Sequence, residues 1–387
     1  MTKPLKILYH HRVAAQDGQS VHIKELTAAF KELGHELIFV GPSLRPRDFG
    51  DESKLLAWVR KLLPQVAQEY LEILYGYRAY RKLVAAYKEH KPDVLYERHN
   101  LFLPAGWMLK RKTGIPYLVE VNAPLSEERA KYSGLKLKAT GRRSEQKCWH
   151  EADMNFPVSN VLADHLRSCG VKDQSITVMH NGINHIDYEK QDTDKIRKQY
   201  GLEGKTVLGF TGFLREWHRL DLVIRTIAEY DAADSPHMLV VGEGPAVAEC
   251  IQLAADLNIA DRIHFAGFRE RKEIPEYLAA MDIALQPAVT DYASPLKIFE
   301  YMRSSLATVA PNQPNIKEIL EDGETALLFE PSDFASAQHQ IKRLVDDKAL
   351  REKLGTAARK AIDTEGYTWR DNAIRISKIA QDLIKGR

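Results

Sequence analysis

At 387 residues the chain exceeds what one hydrophobic core usually spans, so two domains are expected. Its composition, 44% hydrophobic and 28% charged, is that of a globular protein, and its apolar runs are far shorter than the roughly 18 residues of a membrane-spanning helix. The net charge of +2 hides an asymmetry: 28 Lys and Arg face 21 Asp and Glu up to residue 187, against 27 and 32 beyond it. The plain reading of the basic first half is solvated surface, with anionic lipid or an acidic glycan as the partners it would otherwise suit. No nucleic-acid partner is expected.

Taken in chain order, residues 6–10 read as a first strand, entered without the apolar core and cleavage site of a signal peptide. A cytoplasmic location is the expectation, peripheral at the inner face of a membrane if the basic half touches lipid. A loop with Gly18 at its end leads into an amphipathic helix bearing His22, Leu26 and Phe30; a glycine there lets backbone approach an anion at the helix start. Strands follow at 36–40, 94–97, 117–121, 154–157 and 176–179. A long helical region rich in Tyr is expected over 53–89, and a basic one with six Lys and Arg over 131–149, whose cations beside Leu135, Cys148 and Trp149 read as ordinary helix packing, with an amphipathic surface resting on anionic lipid as the alternative. A polar linker spans 184–194, in which the one Asp-x-Asp, Asp192-Thr193-Asp194, reads as a helix N-cap and not as a metal-binding pair. The alternation then restarts with strands at 207–211, 238–242, 263–266, 283–287, 307–310 and 326–329. Alternating strands and helices predict parallel sheets covered by helices, an α/β protein. Cys148, Cys169 and Cys250 lack metal-ligand spacing and read as packing residues.

Three segments carry chemistry. The loop from Gly212 to Asp221 places Arg215, His218 and Arg219 beside a helix start, where they would clamp a diphosphate. Gly242-Glu243-Gly244-Pro245 is a strand end, a flexible turn and a Pro suited to a helix start. The segment Tyr292-Ala293-Ser294-Pro295-Leu296-Lys297 sets phosphate on the free N–H groups of a first helical turn, with Glu300 one turn on to accept ribose hydroxyls. The dinucleotide pattern G-x-G-x-x-G is absent from the sequence.

Together with Pro157-Val158-Ser159-Asn160, His180-Asn181-Gly182-Ile183, Phe265-Ala266-Gly267-Phe268 and Ala280-Met281-Asp282, these pieces, in this order, resemble the fourth family of retaining glycosyltransferases, the group 1 enzymes of GT-B fold. The resemblance implies two facing Rossmann-like domains with a cleft between them: residues 1–187 on the acceptor side, joined by a last helix over 369–387, and 188–368 holding the nucleotide sugar. It implies Gly18 against the donor diphosphate, Gly267 and Phe268 at the base, and Arg215 and His218 facing the diphosphate. Donor contacts extend over Tyr292, Ser294, Pro295, Leu296, Lys297 and Glu300. In the first domain the position that often carries His falls on Asn122, with Glu120 the nearest ionisable group. Departures lie at Tyr292, where the family's first Glu would stand, and at Phe213 and His218, which replace the usual Arg and Lys. The reaction implied moves a hexose-type sugar from a nucleotide diphosphate, UDP preferred over GDP, to a saccharide or lipid-linked saccharide acceptor in surface polysaccharide or glycoconjugate synthesis. No cofactor and no metal are called for. The alternatives are a non-catalytic sugar-nucleotide binder, a sugar-nucleotide epimerase or phosphorylase of the same architecture and, more remotely, a two-domain dehydrogenase.

Overall fold

The computed structural model describes residues 3–13, 18–42, 63–184, 188, 192–231 and 235–386. The chain divides into two compact units, Met1–His180 with Trp369–Arg387, and Asn181–Thr368.

The first unit is built on a five-stranded parallel sheet with strands β1 (Lys6–His10), β2 (Glu36–Val40), β3 (Val94–Arg98), β4 (Tyr117–Val121) and β5 (Met154–Pro157) in the order β2-β1-β3-β4-β5. All residues of β3 and β4 are buried, as in sheets covered on both faces. Three of them are charged, Glu97, Arg98 and Glu120, so this sheet encloses ionic groups that only neighbouring side chains can satisfy. The expected strand over 176–179 is a single bridge to Asn155. Thr177 and Met179 donate to the Asn155 and Pro157 carbonyls of β5, but the segment goes no further into a ladder.

The helices are α1 (Gly18–Glu32), α2 (Gln65–His90), α3 (Ala105–Thr113), α4 (Leu125–Tyr132), α5 (Lys138–Glu151), α6 (Asn160–Ser168) and, at the far end of the chain, the helix Trp369–Lys385. Helix α2 starts behind Pro64 and stops at Lys91, whose left-handed conformation closes the last turn; residues 53–62 of the expected helical region lie outside the described residues. The expected helix over 131–149 is broken at 133–137 by the left-handed Gly134 (φ 79°) and by the carboxylate of buried Glu69, which accepts the N–H groups of Lys136 (2.8 Å) and Leu137 (2.7 Å). Cys148 and Trp149 face the core, the ordinary helix packing expected of this stretch. The helix Trp369–Lys385 packs with the first unit through Trp369 on the His22 ring (4.6 Å) and Ser377 on His35 (2.8 Å).

The second unit holds a six-stranded parallel sheet, β6 (Val207–Thr211), β7 (His237–Val241), β8 (Ile263–Gly267), β9 (Ile283–Leu285), β10 (Ala307–Pro311) and β11 (Leu327–Phe329), in the order β11-β10-β9-β6-β7-β8. Apolar clusters cover both faces, one around Phe299 and Met302, the other around Val223 and Ile341. The unit begins at Asn181, ahead of the expected residue 188. Asn181 is bound to Ser294 through both its backbone N–H (3.1 Å) and its side-chain amide (2.6 Å), and Ile183 donates to the Tyr367 carbonyl. Asp192 caps the helix Thr193–Tyr200 by accepting from Asp194 N, as expected.

Candidate active site

In the second unit the loops after β6 and β7 interlock through their backbones. Gly212 donates to Val241 O (2.9 Å) and Leu214 to Glu243 O (2.7 Å). A Cβ on Gly242 would stand 1.9 Å from Gly212 O, and one on Gly244 2.0 Å from Leu214 O, so no other residue fits at either place. Both glycines also have φ in the left-handed half of the map, at 139° and 154°. The turn Gly242–Gly244 thus shapes the neighbouring loop.

That loop presents Phe213, Arg215 and Trp217 outward, with the Arg215 guanidinium 5.0 Å from the Phe213 ring centroid. His218 turns inward. Its ring is 94% buried, lies 3.8 Å from the Trp217 ring and 5.1 Å from the Phe210 ring, and accepts the Arg215 N–H on Nδ1 (3.1 Å). Desolvation, aided by the charge of Lys297, pulls its pKa down to about 3. The imidazole is neutral and carries its proton on Nε2, so in place of the expected second loop cation His218 is a hydrogen-bond acceptor that pins the Arg215 backbone.

The cation absent from His218 is supplied from elsewhere in the fold. Helix α7 (Leu296–Arg303) follows Pro295 with no side-chain cap, and its first-turn N–H groups at Leu296 and Lys297 lie ahead of the first helical hydrogen bond, from Ile298 to Pro295 O. Half-buried Lys297 reaches across to β6, where Nζ sits 3.8 Å from the Phe210 ring centroid. A Cβ at Gly212 would be 3.1 Å from that ammonium, which a glycine accommodates. Burial lowers the Lys297 pKa to about 7, with the nearby Glu300 charge opposing the shift.

Glu300 is buried one turn later on α7 and is paired with the guanidinium of Arg271, from the short helix Arg271–Glu273 that follows β8. Phe268, 62% exposed, stands at the end of β8, where left-handed Gly267 (φ 71°) turns the chain and accepts from Gly242 N. Ser294 is held by Asn181, and the turn before it by Asn315, whose amide reaches the Thr290 and Ala293 carbonyls. Tyr292 is half-buried in that turn. Tyr301 ties α7 to β6 through the Thr211 N–H (3.1 Å) and hydroxyl (3.3 Å). This unit therefore brings Arg215, His218, Gly267, Phe268, Ser294, Pro295, Leu296, Lys297 and Glu300 to the carboxyl edge of one sheet, on its strand ends, loops and the first turns of α7, the edge at which open α/β sheets take ligands. Arg271 and Asn315 escaped sequence reasoning, and Asn181 and Tyr301 were given no role by it. Arg271 lies in an ordinary-looking charged run, 269–273, and only the fold shows which of its cations meets Glu300.

In the first unit, Gly18 opens α1, and residues 14–17 of its loop lie outside the described residues. Glu120, 2% exposed on β4, is held by side chains and not by the backbone donors a strand-end carboxylate would use. Arg98 pairs with it, and Tyr96 OH (3.1 Å), Asn122 Nδ2 (2.6 Å) and His22 Nε2 (3.0 Å) surround it. Burial alone would raise its pKa; His22, Arg98 and the Asn122 amide outweigh this and bring it to about 2. A carboxylate so ionised and so engaged is a weak proton acceptor; Glu120 anchors Asn122 and His22. Among the described residues no group of three or more His, Cys, Asp or Glu is placed to hold a metal ion, and no helix is long and apolar enough to cross a membrane.

Comparison with known proteins supports one family. The description "Glycosyltransferase Family 4" matches residues 16–186 and "Glycosyl transferases group 1" matches 192–361. The chain is 25% identical over 213 residues to the N-acetyl-alpha-D-glucosaminyl L-malate synthase of Bacillus anthracis, 55% of each chain. It is 24% identical over 306 residues to the D-inositol 3-phosphate glycosyltransferase of Corynebacterium diphtheriae, 75% of this chain and 70% of that protein. The chain thus spans little more than half the length of that Bacillus anthracis protein. Among solved structures, Anabaena HepE in complex with UDP superposes with a TM-score of 0.74 at 18% identity, over 98% of this chain and all of that one. Sucrose-phosphate synthase of Thermosynechococcus elongatus does so with 0.78 at 18%, over 99% of this chain and all of the other. The two α/β units with parallel sheets, the order of their motifs and these matches make the chain a member of the group 1, family 4 glycosyltransferases, with the GT-B fold.

Proposed function

We propose that the chain transfers a hexose-type sugar from a nucleotide diphosphate, UDP in preference to GDP, to a saccharide or lipid-linked saccharide in surface polysaccharide or glycoconjugate synthesis, with retention of anomeric configuration and without a metal. The observation that carries this reading is the first turn of α7, where free N–H groups, the Lys297 ammonium and buried Glu300 converge. The diphosphate would take the N–H groups and the charges of Lys297 and Arg215. The ribose would bind Glu300, and the base would lie against Phe268. Charge develops on the departing phosphate as the C1–oxygen bond breaks, and fixed cations stabilise it without reorganising. The acceptor oxygen then bonds C1 on the same face and its proton passes to the leaving phosphate oxygen, so no side-chain base is required; the engaged state of Glu120 is consistent with that. The UDP bound to HepE, a protein of the same fold, supports the choice of donor class.

Thermal stabilisation by UDP, GDP and their sugar derivatives tests the donor, since a ligand bound by the native state raises the melting temperature with concentration. Turnover assayed with and without EDTA tests the chemistry. A non-catalytic sugar-nucleotide binder is the alternative, favoured by Tyr292 at the place of the family's first Glu; it predicts stabilisation by UDP with no donor consumed in the presence of any acceptor. Failure of every nucleotide to stabilise the chain refutes both readings.

A further inference from the structure

Between β9 and α7 the chain runs over residues 286–295 without helix or strand, at the carboxyl edge of the second sheet. Such a stretch has no ladder to take its backbone groups, so other partners must. Three buried amides do so. Gln286, just past β9, donates to Ala288 O (2.5 Å), and Asn181 to Ser294 O (2.6 Å). Asn315, fully buried in the short helix Pro314–Lys317 that follows β10, donates to Thr290 O (3.0 Å) and to Ala293 O (2.7 Å). Between those two carbonyls Asp291 and Tyr292 form a turn, closed by Ala293 N on Thr290 O (3.2 Å).

The two carbonyls that Asn315 holds share peptide planes with the N–H groups of Asp291 and Ser294. A trans peptide points its N–H opposite its C=O, so this one side chain fixes the direction of both N–H groups, away from the buried amide. Neither has a partner among the described residues. Ser294 is only 5% exposed, and an open N–H on so buried a residue is uncommon; it fits a ligand oxygen. Along the chain the pair comes just before the open N–H groups of Leu296 and Lys297, hence beside the place proposed for the diphosphate. The turn carries Tyr292 where the family's first Glu would stand, so its hold on a sugar depends the more on its backbone.

We infer that Asn315 is a positioning residue of the transfer: by holding Thr290 O and Ala293 O it aims the Asp291 and Ser294 N–H groups at hydroxyl oxygens of the donor hexose, and so sets how the sugar sits against the bond that breaks. Asn315 touches neither the substrate nor the reacting atoms. The inference rests on the proposed transfer and adds to it a residue on which the sugar depends and the nucleotide does not. Arg215, Phe268, Lys297 and Glu300, which would hold UDP, receive no hydrogen bond from Asn315, whose amide is spent on the two loop carbonyls.

Asn315→Asp keeps the shape and turns two donors into acceptors that face two carbonyls. Asn315→Ser removes the reach without adding charge, and carries the test if the first variant does not fold. Each is compared with the wild-type chain by titration with UDP, UDP-glucose, UDP-galactose and UDP-N-acetylglucosamine, by donor turnover, and by hydrogen exchange over residues 289–294. In the wild type the UDP-sugar that binds most tightly is expected to slow exchange at Asp291 and Ser294 more than UDP does. In the variants that protection is expected to vanish and affinity for the same UDP-sugar to fall about tenfold, the loss of two hydrogen bonds each worth a factor of a few. The kcat should fall with it while UDP affinity stays within about twofold. A merely structural role would weaken UDP and its sugar derivatives alike, or unfold both variants, and either result overturns the inference. So does equal protection by UDP and every UDP-sugar in the wild type. A wild type that binds no nucleotide refutes the donor reading and this inference with it; UDP binding together with an unchanged ratio of UDP-sugar to UDP affinity in a folded variant refutes this inference alone.

Discussion

Glu120 in the first unit and Glu300 in the second are both buried carboxylates near the carboxyl edge of a sheet, and the two are treated differently. Glu120 is surrounded by four side-chain donors, from Arg98, Tyr96, Asn122 and His22. Glu300 is paired by Arg271 alone among the described residues, with the partly exposed guanidinium coming from a different loop. A buried anion is tolerated only when its lone pairs are taken. A saturated carboxylate is therefore structural, and one with acceptor capacity to spare at a loop edge is suited to a ligand that brings its own hydroxyl donors.

Substitutions at the two positions should separate these roles, starting with the largest effect. Glu120→Ala leaves the Arg98 guanidinium buried without its anion and is expected to cost about 3–5 kcal/mol of stability in the first unit. Calorimetry would show one transition moved and UDP affinity intact; an unmoved transition would mean that the cluster does not hold β4. Glu300→Gln should do the reverse. It keeps the shape and loses about 1.5–3 kcal/mol of nucleotide affinity, the range for hydrogen bonds to a charged group. Titration with UDP and its 2′-deoxy form sharpens this, because the variant should lose its preference for the ribose.

The same comparison extends to pH. Lys297, with a pKa of about 7 in the free protein against about 10.4 for an ordinary lysine, binds fewer protons folded than unfolded across that interval, so its contribution to stability improves as pH rises from about 7 to 10. A bound diphosphate favours the ammonium and raises that pKa. UDP affinity is then expected to be highest below pH 7 and to fall as pH rises above it, with proton uptake on binding near pH 8 that calorimetry in buffers of different ionisation enthalpy reads directly. Lys297→Arg should flatten the fall. His218, neutral throughout this range, should leave the alkaline limb unchanged when replaced by Gln, whereas Arg215→Ala should lower turnover at every pH. An alkaline limb that vanishes in His218→Gln would reverse the assignment.

The smallest expected effect belongs to Phe268, where Ala should weaken nucleotide binding by about 0.5–1.5 kcal/mol if the exposed ring stacks on the base. Equal losses for UDP and inorganic diphosphate would remove it from base recognition.

Sequence alone was sufficient for the α/β class, for eleven of the strand positions, within a few residues at their ends, and for the loops that carry Arg215, Lys297 and Glu300. These signals are local: strand-length apolar runs, a helix start behind Ser-Pro, glycines at strand ends. It was not sufficient for residues 176–179, where β character is present but a continuing ladder is not. Nor could it separate α4 from α5, because the acceptor that interrupts them, Glu69, comes from a distant helix. What tertiary structure decided was the state of each ionisable group. His218 reads as a cation in a basic loop, yet burial against Phe210 and Trp217 makes it neutral and hands its charge role to Lys297, far along the chain. Glu120 reads only as the ionisable group nearest Asn122, yet Arg98 on the adjacent strand and His22 on α1 occupy it. Charge and solvation depend on which distant groups the fold brings within a few ångströms, and spacing along the chain carries no record of that.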